Sequence, residues 1–113
     1  RVTVSGSLRG SIRVENATLI LEALTLRGSG EKTSASCVEL SASSVLEMRN
    51  ATIRDCATTG SGGALRALSA SRVALTAESV VTRSSADGQG GCLYVSDESR
   101  VELTEGSRVD ECS

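Results

Sequence analysis

The four cysteines are the residues whose chemistry depends most on their spacing. They are Cys37, Cys56, Cys92 and Cys112. Structural metal sites use closely spaced cysteine pairs, and none of these four lies near another in the sequence. The cysteines are therefore either buried free thiols or partners in disulfides, and the choice depends on how the fold brings them together.

Two tripeptides have the composition of N-glycosylation acceptors. They begin at Asn16 and Asn50, each of which is followed by alanine and threonine. Such tripeptides are modified in proteins that are secreted through a eukaryotic pathway. Asn16 and Asn50 are accordingly the candidate glycosylation sites.

Catalytic chemistry has few candidates. The chain contains no histidine, which is the usual general base near neutral pH and a common metal ligand. Serine is abundant, but a serine without a partner base is not an activated nucleophile. The glycine-rich stretches at 60–63 and 87–91 lack the lysine of a phosphate-binding loop. We expect no catalytic residue, no bound metal and no cofactor, and we predict that the chain is not an enzyme.

An internal repeat indicates the elements that position these residues. Gly-Gly-Ala-Leu at 62–65 returns as Gly-Gly-Cys-Leu at 90–93. Apolar residues recur in columns with nearly the same spacing, a period of about 27–28 residues that is typical of solenoids. The columns are Leu19, Leu46, Val73 and Val101; Leu21, Met48, Leu75 and Leu103; Leu26, Ile53, Val81 and Val109; and Val38, Leu65 and Leu93, with Leu40, Ala67 and Val95 two positions on and Ile12 and Val14 below them.

Short alternating segments make up each repeat. Val-Glu-Leu occurs at 38–40 and again at 101–103, which is typical of a strand with one buried face. Clusters of serine, alanine and glycine between such segments indicate turns. Stacked coils would pair each strand with its equivalents above and below and fill the interior with aliphatic ladders. A core of this kind needs no large anchors, which agrees with a chain whose only aromatic residue is Tyr94.

We predict an all-β fold, namely a right-handed parallel β-helix of about four coils, each with about 27–28 residues. Residues 1–113 would form a single segment of a longer solenoid, uncapped at both ends, with coils at approximately 8–36, 37–63, 64–91 and 92–113. Residues 2–4, 19–21, 46–48, 73–75 and 101–103 should lie in register in one parallel sheet, with the outer two side chains of each triplet pointing inward.

Two other folds match parts of the pattern. Residues 21–26, Leu-Glu-Ala-Leu-Thr-Leu, fit a leucine-rich repeat, but Glu78 and Gly106 occupy the second leucine position in later repeats. Residues 64–81 are rich in alanine, leucine and arginine, as helices are, yet the apolar face is interrupted at Ser69 and Arg72.

The glycine motifs resemble the GGA[IL] motif of polymorphic outer-membrane protein repeats of chlamydial type. The companion F-x-x-N motif keeps only its apolar position here, at 53–56, 81–84 and 109–112. Pectate-lyase-like β-helices share such short motifs. The resemblance implies a parallel β-helix in a cell-surface or secreted protein that serves adhesion, shielding or matrix building.

The repeat arranges the cysteines in two columns. Cys37 and Cys92 open their coils, whereas Cys56 and Cys112 close them. Bonds from Cys37 to Cys56 and from Cys92 to Cys112 would span about one coil rise, ~4.8 Å, which suits the Cα separation of a disulfide. Bonds within a column would span two rises, ~10 Å. We therefore predict the first pairing, and with it an oxidising compartment.

The outward positions decide what the surface could bind. On the first two strands of each coil they are Glu39, Arg66 and Tyr94, and Glu47, Ala74 and Glu102, which favours solvated charges over a calcium or catalytic cluster. A column of Arg1, Arg72 and Arg100 could bind acidic glycans, although Glu78, Glu98 and Glu102 would offset its charge. The net charge of −2 without a basic stripe argues against nucleic acid, and no apolar run is long enough to insert into a membrane.

These observations favour an extracellular or cell-surface segment that provides a structural or adhesive surface, or a filament scaffold, without catalysis. Its partners would be the remaining coils of the same chain, and glycans or other surface and matrix proteins. Two alternatives stay open. One is a carbohydrate-active lyase or hydrolase β-helix whose active site lies outside this fragment, and the other is a leucine-rich-repeat recognition module.

Overall fold

The fold is all-β. A computed structural model describes residues 2–9, 11–28, 31–96 and 98–113, and these residues form strands and turns without a helix. The strands stack in parallel into a β-solenoid of about four turns. The predicted parallel solenoid is confirmed, and residues 64–81 form strands and turns rather than a helix.

The described residues form thirteen strands. They are β1 (Val2–Arg9), β2 (Ile12–Glu15), β3 (Thr18–Arg27), β4 (Val38–Ser41), β5 (Val45–Arg49), β6 (Thr52–Arg54), β7 (Ala57–Thr58), β8 (Leu65–Ala67), β9 (Arg72–Thr76), β10 (Val80–Ala86), β11 (Leu93–Val95), β12 (Arg100–Leu103) and β13 (Arg108–Cys112).

Each full turn of the solenoid has three main faces, which we number in chain order. The first face is the sheet β2-β4-β8-β11. The second and third faces belong to one continuous sheet, because β1 and β3 are long enough to contribute to both. In the second face, the start of β3 pairs with β5, β5 pairs with β9, and β9 pairs with β12. In the third face, the end of β3 pairs with β6, β6 pairs with β10, and β10 pairs with β13. The short strand β7 pairs with the end of β10.

The predicted register of the second face is confirmed. Residues 2–4, 19–21, 46–48, 73–75 and 101–103 pair in succession along the solenoid axis. This arrangement requires nearly equal chain lengths between successive strands, since parallel neighbours must place equivalent residues side by side. The regular period of the sequence supplies that equality.

The interior consists of stacked aliphatic side chains. Those at 19, 21, 46, 48, 73 and 75 are at most 5% exposed, so the inward orientation predicted for these triplets is confirmed. Val101 is only half-buried and Leu103 is 42% exposed, because the described residues cover the last turn from one side only. The side chains of residues 2–4 lie outside the described part of the structure. Ile20, the middle residue of the triplet 19–21, is also buried, at 1% exposed, but it does not pack in the interior core.

The corners between faces use left-handed backbone. Gly62 and Gly90, which precede strands of the first face, have φ of 76° and 67°. Gly63 and Gly91 lie so close to the backbone of the following segments that a Cβ atom would collide with it. The glycine motifs therefore serve two purposes, a positive φ at the first glycine and a close backbone approach at the second.

Serines inside the corners, which were predicted only to form turns, also form hydrogen-bonded ladders between coils. Ser44, Ser71 and Ser99 occupy the corner before the second face at a regular spacing. The Ser44 amide donates to Ser71 Oγ at 3.2 Å, and the Ser71 amide donates to Ser99 Oγ at 2.9 Å. Ser79 and Ser107 repeat this contact at the next corner, over 3.2 Å. Each ladder joins neighbouring coils through groups that a turn would otherwise bury without partners.

Candidate functional site

Two disulfides close two of the coils. Cys37 bonds Cys56 with a Cα separation of 6.0 Å, and Cys92 bonds Cys112 with a Cα separation of 5.2 Å. These are the pairs that the column spacing predicts. In each pair the first cysteine precedes a strand of the first face, and the second lies at the end of the third face. Each bond therefore ties the end of a coil to its own beginning.

The disulfides differ in their access to solvent. Cys37, Cys56 and Cys92 are 4%, 2% and 2% exposed, whereas Cys112 is exposed. A thiolate that attacks a disulfide must reach one of its sulfur atoms. Two disulfides are compatible with an extracellular protein, since such bonds persist in oxidising compartments.

Asn16 and Asn50 are exposed residues at corners of the solenoid. Both have φ of 50°, a backbone conformation that asparagine adopts more readily than most residues do. Asn16 lies between the first and second faces, and Asn50 lies between the second and third. Their exposure leaves both side chains accessible to a glycosylating enzyme.

The outward column of the first face alternates in charge. Arg13, Glu39, Arg66 and Tyr94 are paired in register, as predicted for the last three. Arg13 lies 3.6 Å from Glu39, and the Arg66 guanidinium lies 6.0 Å from the centre of the Tyr94 ring. Glu39, Arg66 and Tyr94 are half-buried and contact their neighbours in the column, and Arg66 Nε is buried, so this column is only partly solvated.

The acidic residues of the second face are also paired. Glu47 lies 3.1 Å from Arg49, and Glu102 lies 3.4 Å from Arg72. Their column is interrupted by Ala74, as predicted. Among the residues described by the structure, no group of three or more histidine, cysteine or acidic side chains is arranged to hold a metal ion.

The predicted arginine column on the second face is shorter than expected. Arg72 and Arg100 are paired in register, but the same column continues with Val45 and then Thr18. Arg1 lies outside the described residues. Of the three carboxylates expected to offset this column, only Glu102 forms an ion pair in the described structure, and it does so with Arg72.

The third face carries a different arginine column, which the sequence pattern did not lead us to predict. Arg9, Arg27 and Arg54 are paired in register on successive strands. Arg27 is exposed, and Arg54 is half-buried with its Nε 3.6 Å from Asp55 Oδ2. The signal was present in the sequence, because Arg27 and Arg54 lie one repeat apart.

A small pocket lies beside the first disulfide. It is lined by Cys37, Gly28, Thr33 and neighbouring loop residues, and its volume of about 20 Å³ suits a single water molecule rather than a substrate. In the described part of the chain, no helix has the length and apolar character needed to cross a bilayer.

Comparison with known proteins identifies no relative of this chain. No family model matches the chain, and neither curated proteins nor solved structures give a significant match. The resemblance to polymorphic outer-membrane protein repeats is therefore supported only as far as the parallel β-solenoid itself.

Proposed function

We propose that this chain is a structural or adhesive segment of an extracellular or cell-surface protein. The observation that carries the proposal is the pair of disulfides, each of which closes one coil of the solenoid. Covalent closure stabilises a solenoid that is otherwise held by small aliphatic contacts, and it requires an oxidising compartment. A secreted solenoid would then present its outward columns as a continuous surface.

The family resemblance belongs to this proposal. The Gly-Gly-Ala-Leu and Gly-Gly-Cys-Leu motifs resemble those of polymorphic outer-membrane protein repeats, and their first glycines enter the first face with left-handed backbone. Surface display of such repeats agrees with a role in adhesion or matrix building. Glycosylation at Asn16 and Asn50 would fit the same setting if the source is eukaryotic.

Binding to a surface is the first test. Beads that carry the oxidised chain should adhere to immobilised matrix polysaccharides or matrix proteins. The same chain after reduction and alkylation should adhere less, because the coils lose their closure. Equal adhesion by beads that carry an unrelated β-rich protein would contradict the proposal.

Catalysis is the second test. We expect the chain to release no reducing ends or unsaturated products from a panel of acidic and neutral polysaccharides. We also expect no calorimetric signal for stoichiometric calcium binding tighter than about millimolar, the weak end of extracellular calcium sites. Depolymerisation of any of these polymers would favour the carbohydrate-active alternative.

A further inference from the structure

The arginine column on the third face consists of three consecutive register positions, Arg9, Arg27 and Arg54, of which Arg27 and Arg54 have side chains that the structure describes. The three positions are paired in register, and neighbouring strands lie ~4.8 Å apart. Like charges directly opposite each other on a sheet are destabilising. A chain with a net charge of −2 and many charged residues could have alternated the signs here, as it does on the first face.

Counter-charges do not neutralise this column. Asp55 is shared between Arg54 and Arg83, at 3.6 Å and 3.5 Å. Within the described residues, no carboxylate lies within ion-pair distance of Arg27. Arg54 Nε is buried against Asp55, 3.6 Å from Oδ2, so this atom is not available to a ligand. The exposed guanidinium of Arg27 and the half-buried side chain of Arg54 therefore lie on adjacent strands, with a single carboxylate shared between Arg54 and Arg83.

Hydroxyl groups accompany the arginines. Thr25 and Thr52 are paired in register two residues before Arg27 and Arg54, so they occupy the adjacent outward column. Both are half-buried strand residues. The third face thus offers a row of hydroxyls beside a row of guanidinium groups, both parallel to the solenoid axis.

We propose that the arginine column binds a linear acidic polysaccharide, carboxylated or sulfated, that runs along the solenoid axis. Guanidinium groups bind carboxylate and sulfate oxygens with paired hydrogen bonds, and the threonines can exchange hydrogen bonds with sugar hydroxyls. The strand spacing is similar to the length of one sugar ring in an extended chain, so successive arginines meet successive sugars. The inference rests on the proposed surface function and names its partner. Nucleic acid is the other polyanion, and the extracellular setting disfavours it.

The test compares two double variants of the full chain with equal changes in charge. Arg27→Gln with Arg54→Gln alters the arginine column, and Arg72→Gln with Arg100→Gln alters the second face. Surface plasmon resonance would measure binding to immobilised heparin, polygalacturonate, neutral dextran and single-stranded DNA over a series of salt concentrations. Circular dichroism and the mass of the intact disulfides would establish that each variant folds.

We expect the parent to bind at least one acidic polysaccharide and not dextran. The Arg27→Gln, Arg54→Gln variant should bind about tenfold more weakly or worse, the loss expected for charged hydrogen bonds. Its slope of log affinity against log salt should fall by about one unit per arginine. The control variant should stay within about twofold of the parent, as expected for arginines that do not contact the polymer.

Three results of the binding measurements would overturn the inference. They are no binding by the parent to either acidic polysaccharide, an equal loss in both double variants, and equally tight binding of DNA. If the altered double variant does not fold, Arg27→Gln alone serves, because Arg27 is exposed and has no ion pair in the described structure. Unchanged adhesion of the folded variant to matrix would reject the arginine column while leaving the proposed function intact.

Discussion

The amide of Ser71 donates a hydrogen bond of 2.9 Å to the hydroxyl of Ser99, one coil further along the solenoid. The Ser71 hydroxyl in turn accepts from the Ser44 amide at 3.2 Å and donates to the Leu68 carbonyl at 2.6 Å. Both Ser44 and Ser71 are at most 1% exposed. The ladder therefore satisfies buried backbone groups at a corner where the strands have ended.

Loss of a ladder hydroxyl should destabilise the fold. Ser71→Ala leaves the buried Ser44 amide without an acceptor, which costs about 1–3 kcal/mol. Urea denaturation followed by circular dichroism would measure the difference. Ser34→Ala is the matched control, since Ser34 is exposed, and it should change stability by less than about 0.5 kcal/mol. Equal midpoints for both variants would argue against the ladder.

A charge in the aliphatic interior should be far more damaging. Val73 is 0% exposed and is paired with Leu46 and Val101. Val73→Asp buries an unpaired carboxylate, and we expect a loss of several kcal/mol, about 3 or more. Val80→Asp makes the same change at an outward position paired with Arg108 and should be tolerated. Thermal melting of both variants would decide, and equal melting temperatures would show that Val73 does not point inward.

The backbone of the next coil lies so close to Gly63 that adding a single methyl group there should destabilise the fold. A Cβ atom there would collide with the backbone of Gly91 and Ser85. Gly63→Ala should therefore destabilise by about 1–3 kcal/mol, as overpacking does. Around Gly60, in contrast, the nearest atoms to such a Cβ are 3.8 Å and 3.9 Å away, so Gly60→Ala serves as the control. Comparable stability of the two variants in chemical denaturation would contradict the packing of this corner.

The disulfides should be reduced in a defined order. Cys112 is exposed, whereas both members of the Cys37–Cys56 bond are buried. We expect mild reductant to open Cys92–Cys112 first, because attack requires access to a sulfur atom. Alkylation at timed intervals and peptide mapping would show which thiols appear. Earlier labelling of Cys37 and Cys56 would be inconsistent with this structure.

Loss of the buried bond should also lower stability. The Cys37→Ser, Cys56→Ser variant should lose about 3 kcal/mol on the chain-entropy model for a loop of this size. The free energy of unfolding of this variant is compared with that of the parent protein before and after full reduction. A double variant that unfolds at the same urea concentration as the oxidised parent would show that the closure contributes nothing.

Glycosylation can be tested without disturbing the corners. Thr18→Ala and Thr52→Ala each remove one acceptor sequence while leaving Asn16 or Asn50 in its left-handed conformation. After secretion from eukaryotic cells, the parent should lose mass on treatment with an N-glycosidase, and each variant should lack one glycan. An intact mass equal to that of the bare polypeptide would show that neither asparagine is modified.

The stacking of this protein follows from its amino-acid sequence alone. Parallel neighbours must place like residues side by side, so the regular period predicted the columns on the second face, the strand register and the cysteine pairs. Alternation of apolar and polar residues then predicted which side chains face inward, because a strand has only two sides.

At the corners, where the alternation of apolar and polar residues ends, contacts in the folded chain determine which side chains are buried. Ser44 and Ser71 look like surface turn residues, yet the left-handed corners turn their hydroxyls inward. The arginine column is visible as a spacing, but its lack of counter-charge depends on Asp55 being shared between two arginines. Corner geometry and charge balance arise from contacts between coils, and these contacts exist only after the chain has wound upon itself.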